Sequence, residues 1–151
     1  MSFVCKIFLD LLIFSSLLLI SINDIRFLTV SNKILFFMLI LVLVKYVILG
    51  IDFYSFFRSF FVSILFSFVF LLIRKITNNG LGFGDIKLIF VTSFCFGFVK
   101  SYIALILACL FGIVFIALKN KKGQEKNKKI PFAPFICSGY FFVQLFCGLV
   151  K

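Results

Sequence analysis

The sequence has no histidine, no tryptophan and only five acidic residues among 151. Without histidine, and without a C-x-x-C pair among the five cysteines, we expect no metal site and interpret the cysteines as apolar packing residues. The 16 basic residues give a net charge of +11, which in a soluble protein would indicate a nucleic-acid partner. Here the basic residues cluster between apolar runs, so we expect them to set membrane topology and predict no nucleic-acid binding.

The sequence is instead rich in apolar residues, with 64% hydrophobic residues, 26 phenylalanines and a mean hydropathy of +1.26. Long apolar stretches with few charges are typical of membrane spans. The sequence therefore predicts an all-α integral membrane protein, with residues 1–151 forming a single domain built as a bundle of about six transmembrane helices. The predicted spans are approximately 7–22, 34–51, 56–73, 86–99, 101–118 and 132–150.

The stretch 86–118 contains only two charges, Lys87 and Lys100. As one helix it would be about 50 Å long, which is too long for one span and short for two. We predict that it divides at Gly97–Ser101 into a tight hairpin with a short fourth span. The alternative is five spans, with 86–118 as one tilted, bent helix.

The distribution of basic residues predicts the orientation in the membrane. If both termini lie outside, most of the 16 basic residues lie in the inner loops, as the positive-inside rule requires. We therefore predict a multi-pass protein of the inner, or cytoplasmic, membrane. The basic loop Lys119–Lys129 is interpreted as a topology determinant that contacts anionic lipids.

Two carboxylates lie at the ends of predicted spans. Asp24 ends the first, and Asp85 begins the fourth within Gly82-Phe83-Gly84-Asp85. Because two spans separate them, the chain returns to the same face and both carboxylates lie on one side. A carboxylate at membrane depth is costly and is a functional-site hypothesis by default. Glycines beside it allow the backbone of a substrate to approach closely.

Two carboxylates brought together can hold one proton between them and act as an aspartyl protease. One takes a proton from water while the other supports the carbonyl oxygen, so no metal or cofactor is expected. Each Asp is followed two residues later by a base, Arg26 or Lys87, and residues i and i+2 do not face each other on a helix. We therefore expect these bases to anchor at lipid headgroups rather than neutralise the dyad.

Three motifs carry a resemblance to a known family. They are Asp24-Ile25-Arg26 through Val30-Ser31-Asn32, then Gly82-Phe83-Gly84-Asp85-Ile86-Lys87, and finally Ile130-Pro131-Phe132-Ala133-Pro134-Phe135. In this order they resemble the type IV prepilin peptidases, membrane aspartyl proteases with a G-x-G-D motif. Ser31 stands where the family has proline and Ala133 where it has glycine.

The resemblance implies that Asp24 and Asp85 are catalytic, near the cytoplasmic face. It implies a prepilin-like membrane protein as substrate and removal of its short basic leader after a glycine. The chain has no cysteine-rich insertion of the bifunctional members, so we predict peptidase activity without methyl transfer. The residues predicted to bind substrate or shape the site are Gly82, Gly84, Lys87, Asn32, Pro131 and Pro134. We place Pro131 in the first turn of the last span, and expect Pro134 and Gly139 to loosen that helix.

The same residues allow other interpretations of the function. The main alternative is a small proton-coupled transporter or channel subunit with Asp24 and Asp85 as relay carboxylates, although both acids lie at one face. A structural membrane protein with incidental acids would leave the ordered motifs unexplained. A presenilin-like protease shares G-x-G-D but pairs it with Tyr-Asp, whereas this chain has Asn23-Asp24.

Overall fold

The structure, a computed structural model, describes residues 2–77, 80–121 and 131–149. These residues form helices and no strand, which confirms the all-α prediction. The helices are α1 (Ser2–Phe27), α2 (Asn32–Ile48), α3 (Phe53–Ile76), α4 (Phe83–Lys121) and α5 (Ala133–Leu149). The predicted count of about six is not confirmed, since the described residues form five. Most of the predicted basic loop, from Lys122 to Lys129, lies outside them.

The difference in number arises in α4, which contains both the predicted fourth and fifth spans. The chain is helical on both sides of Gly97, and the two helical segments are joined directly across a kink at this residue. Gly97 itself is not helical, with φ 73° and ψ −175°. This backbone region is essentially restricted to glycine. The predicted division therefore falls at Gly97, as a sharp break inside α4 rather than as a loop between two helices.

The break makes α4 fold back on itself. Ile116 follows Asp85 by 31 residues, which would place it about 46 Å away in a straight helix. Both residues nevertheless line the same cavity. The second half of α4 therefore returns alongside the first, and the tilted single helix weighed as the alternative does not describe it.

α4 lies at the centre of the bundle. It packs against α3 and α5 and also contacts α2, while α1 packs against α2 and α5. The core comes mainly from α1, α2, α4 and α5. Its completely buried apolar side chains are those of Ile13, Ile20, Met38, Val42, Ile89, Ala104, Ala108 and Ile136.

The surface of the bundle is apolar. α3 buries only Ser63 and Phe70 and exposes several large side chains, as suits a helix that faces lipid. The segments Val4–Phe27, Phe53–Ile76 and Phe83–Leu118 are long and apolar enough to cross a membrane, and Ala133–Phe146 is a shorter apolar helix. Length, composition and exposure together support a membrane protein.

Candidate active site

Asp24 lies in the last turn of α1 and is 5% exposed. Its Oδ2 atom accepts a hydrogen bond of 3.1 Å from the backbone N–H of Ala133. The first N–H groups of a helix have no partner within the helix and are free to bind an anion. α5 begins at Ala133, so its N-terminus holds the carboxylate of Asp24 across the bundle.

The two prolines near this contact have different positions from those expected. The carbonyl of Phe132 accepts the first hydrogen bonds of α5, from the N–H groups of Phe135 and Ile136. Pro134, not Pro131, therefore lies in the first helical turn, where its missing N–H costs nothing. Pro131 precedes the helix and lines the cavity described below. The placement of Pro131 inside the first turn was wrong because the helix begins later, at Ala133.

Asp85 is the third residue of α4 and is 8% exposed. It interacts with the backbone of Gly82 and electrostatically with Asp24. A Cβ atom on Gly82 would lie 3.0 Å from Oδ2 of Asp85. Glycine at this position therefore leaves the room that the carboxylate occupies.

Asp24 and Asp85 meet in a cavity of about 660 Å³. The remaining walls come from Gly80 to Gly82, from Pro131 to Phe135, and from the second half of α4 through Cys109, Gly112, Ile113 and Ile116. A smaller cavity of about 310 Å³ adjoins it and shares both carboxylates. The structure thus brings two carboxyl groups, more than nine-tenths buried, to one space large enough for a peptide segment.

Lys87 and Asn32 lie beside the carboxylates, on the wall of the smaller cavity. Nζ of Lys87 donates a hydrogen bond of 3.1 Å to Oδ1 of Asn32, which links α4 to α2. The same Nζ lies 5.2 Å from the centre of the Phe83 ring, and Cζ of Arg74 lies 5.4 Å from it. Lys87 therefore lies on the wall of the site with an exposed side chain, and its role as a headgroup anchor stays a prediction.

Two features of the structure were not predicted from the sequence. Leu28, which lines both cavities, has a φ of 53°, a conformation that is rare for a residue other than glycine and is found at functional sites.

Asp10 forms an ion pair with Lys45, with 2.6 Å between Oδ1 and Nζ. Asp10 lies about 21 Å along α1 from Asp24, at the other end of the bundle. An acidic residue inside an apolar run was the available signal for this pair.

Comparison with known proteins identifies the family of this chain. The model of the type IV leader peptidase family matches residues 11–117, which include Asp24 and Asp85. This chain belongs to the type IV leader peptidase family. The resemblance inferred from the three motifs is thereby confirmed. The third motif, at residues 130–135, lies beyond the matched segment, although the structure places part of it against Asp24.

A relative from Bacillus subtilis (strain 168), named prepilin leader peptidase/N-methyltransferase, is 30% identical to this leader peptidase family member over 146 residues. The match covers 93% of this chain and 56% of the relative, so the chain spans about half the length of that protein. No solved structure matches the chain. Among the described residues, no group of three or more His, Cys, Asp or Glu side chains is placed to hold a metal ion.

Proposed function

We propose that this protein is a membrane-embedded aspartyl endopeptidase that removes the short basic leader of prepilin-like precursors. The observation that carries the proposal is the burial of Asp24 and Asp85 in one cavity. The family of the chain and the printed name of its relative support leader removal as the reaction. The aspartic mechanism rests on the chemistry of the two carboxyl groups.

The mechanism begins with one proton shared by the pair, because two adjacent buried carboxylates cannot both ionise at low cost. We assign the negative charge to Asp24, since a hydrogen bond from the N–H of Ala133 stabilises an ionised carboxylate. Asp24 takes a proton from water as the water oxygen attacks the scissile carbonyl carbon. Asp85 donates its proton to the carbonyl oxygen. The C–N bond then breaks, Asp24 gives its proton to the departing amine, and Asp85 takes back a proton from one of the two hydroxyl groups as the carbonyl re-forms.

The site requires water and a substrate that arrives from the bilayer. The first half of α4, from Phe83 to Phe96, is about 21 Å long, which is shorter than the roughly 30 Å of hydrocarbon. We infer that the bilayer is thinned around Asp85 and that water reaches the cavity there. The excess of basic residues in the inner loops supports an active site at the cytoplasmic face of the inner membrane.

The proposal is tested with purified protein in liposomes and a precursor that carries a short basic leader, a glycine and an apolar segment. We expect one cut after the glycine, and mass spectrometry of both fragments would identify it. Absence of cleavage, together with proton flux across the same liposomes that Asp24→Asn abolishes, would favour the transporter alternative instead.

Gly84 gives a prediction about the geometry of the site. A Cβ atom at this position would lie 2.7 Å from Cβ of Val30, in the turn that follows α1. Gly84→Ala should push the segment after Asp24 away from the start of α4, which carries Asp85. A displacement of about 1 Å at a reacting group can cost about a hundredfold in rate, so we expect a loss of roughly ten- to a hundredfold in kcat/KM.

The compensating change is Val30→Gly, which removes the atoms that Gly84→Ala would meet. Val30→Gly alone should cleave nearly as fast as the wild type, and the double variant should recover most of the lost activity. A double variant no faster than Gly84→Ala would show that the contact with Val30 does not set the geometry of the dyad.

A further inference from the structure

A groove between α2, α3 and α4 opens next to the two carboxylates. It has a volume of about 370 Å³ and is lined mainly by apolar side chains, those of Leu35, Phe36, Leu39, Ile86, Phe90 and Val91. Asn32 and Lys87 lie at its end and also line the smaller cavity that contains Asp24 and Asp85. The groove and the smaller cavity of the dyad therefore adjoin at Asn32 and Lys87, where the lining changes from polar to apolar.

We propose that this groove binds the apolar segment of the precursor that directly follows the scissile bond. The inference rests on the proposed function, since it requires a membrane protein cut at a short leader. When a short leader is removed from such a protein, the span of the substrate begins close to the cleaved bond. The leader then lies on the polar side of the dyad, and the span leaves past Asn32 and Lys87 into the groove.

The dimensions of the groove set how much of the substrate it contacts. Asn32 and Leu39 mark its two ends on α2, and they are seven residues apart. This distance is about 10 Å along a helix, or two helical turns. The groove therefore contacts about seven residues of a helical substrate after the scissile bond. Apolar segments longer than this are not expected to bind the groove more tightly.

A buried hydroxyl favours a peptide over a lipid chain as the occupant. Oγ of Ser67 lies in the wall of the groove and is buried, without a hydrogen-bond partner among the residues that the structure describes. An unsatisfied buried hydroxyl is costly. An acyl chain offers no atom to pair with it, whereas a carbonyl group of a helical peptide has a second lone pair that accepts a hydrogen bond from the hydroxyl.

The test compares two substrates and two tryptophan variants. One substrate is the full precursor with its apolar span, and the other is a peptide that ends three residues after the scissile bond. Leu39→Trp fills the groove, while Leu43→Trp adds the same bulk one turn further along α2, at a side chain that is 38% exposed and outside the groove. We expect Leu39→Trp to raise KM for the full precursor roughly tenfold or more. Cleavage of the short peptide should not change, and Leu43→Trp should affect neither substrate.

The outcomes separate this inference from the proposed function. If the wild type cleaves neither substrate, the proposed function itself fails. If Leu39→Trp slows both substrates equally, or slows neither, the groove does not bind the segment after the cut. A second experiment places a photo-crosslinking residue at position 39 and, separately, at position 43. It tests whether the groove binds the precursor without relying on the folding of a tryptophan variant or on cleavage of the short peptide. A crosslink to the precursor from position 39 and not from 43 supports the proposal, and a crosslink to lipid alone overturns it.

Discussion

Replacement of either Asp24 or Asp85 by asparagine is expected to slow cleavage about a hundredfold or more while the helical bundle stays intact. Asparagine has nearly the same shape as aspartate, and at position 24 its carbonyl oxygen can still accept the hydrogen bond from the N–H of Ala133. It cannot, however, take a proton from water or hold the proton that the pair shares. Loss of general acid–base catalysis typically costs about 10²- to 10⁴-fold in rate. We expect each single variant to show a loss in kcat of that size, measured on the precursor in liposomes.

The chain supplies matched controls at two other aspartates. Asp52 is exposed at the start of α3 and makes no capping hydrogen bond with its side chain, so Asp52→Asn should cleave at the wild-type rate. Asp10→Asn removes the partner of Lys45, and we expect it to lower thermal stability through the unpaired ammonium group. Wild-type cleavage by Asp85→Asn, with normal protein levels, would rule out the two-carboxylate mechanism.

The position of Asp24 and Asp85 at one end of the bundle could be predicted from the sequence. Asp24 ends one apolar run and Asp85 begins another, with two helices between them, and counting membrane crossings is enough to place both at one end of the bundle. The break at Gly97 was also visible, because a run from 86 to 118 is too long to cross the membrane once. Both predictions depend on segment length and order, which hydropathy records directly.

Features that depend on packing could not be predicted in the same way. The N–H of Ala133 meets Asp24 across 109 residues, and no periodicity in the sequence encodes this contact. The same is true of the hydrogen bond between Lys87 and Asn32, which joins two helices across 55 residues. The wall of the dyad cavity formed by Gly112 and Ile116 exists only because α4 folds back.

Gly139→Ala is expected to lower the stability of the helical bundle. A Cβ atom at this position would lie 2.3 Å from the backbone oxygen of Ala104 and 3.3 Å from the backbone nitrogen of Ala108. Backbone atoms cannot turn away as a side chain can, so Gly139→Ala must separate α5 from the second half of α4. Small residues at such contacts are what allow membrane helices to pack closely. We expect a loss of about 1–3 kcal/mol or more in the free energy of unfolding, measured by thermal or denaturant unfolding in detergent. α5 is helical on both sides of Gly139, and this glycine lies at a close contact with α4. The sequence-based prediction that Gly139 loosens α5 is therefore not supported.

Gly112 provides the matched control, because it lies in α4 at the same interface with α5. Its added Cβ would lie 3.8 Å from the ring of Phe135, which is an ordinary van der Waals contact. Gly112→Ala should therefore be neutral or stabilising, since alanine favours a helix over glycine by about 1 kcal/mol. Gly139→Ala is expected to destabilise the protein and Gly112→Ala is not, and this difference separates steric exclusion from the loss of a flexible residue. Since α5 also begins at the N–H that holds Asp24, Gly139→Ala should reduce cleavage as well. Equal stability of the two variants would show that the close approach of α5 to Ala104 does not hold this bundle together.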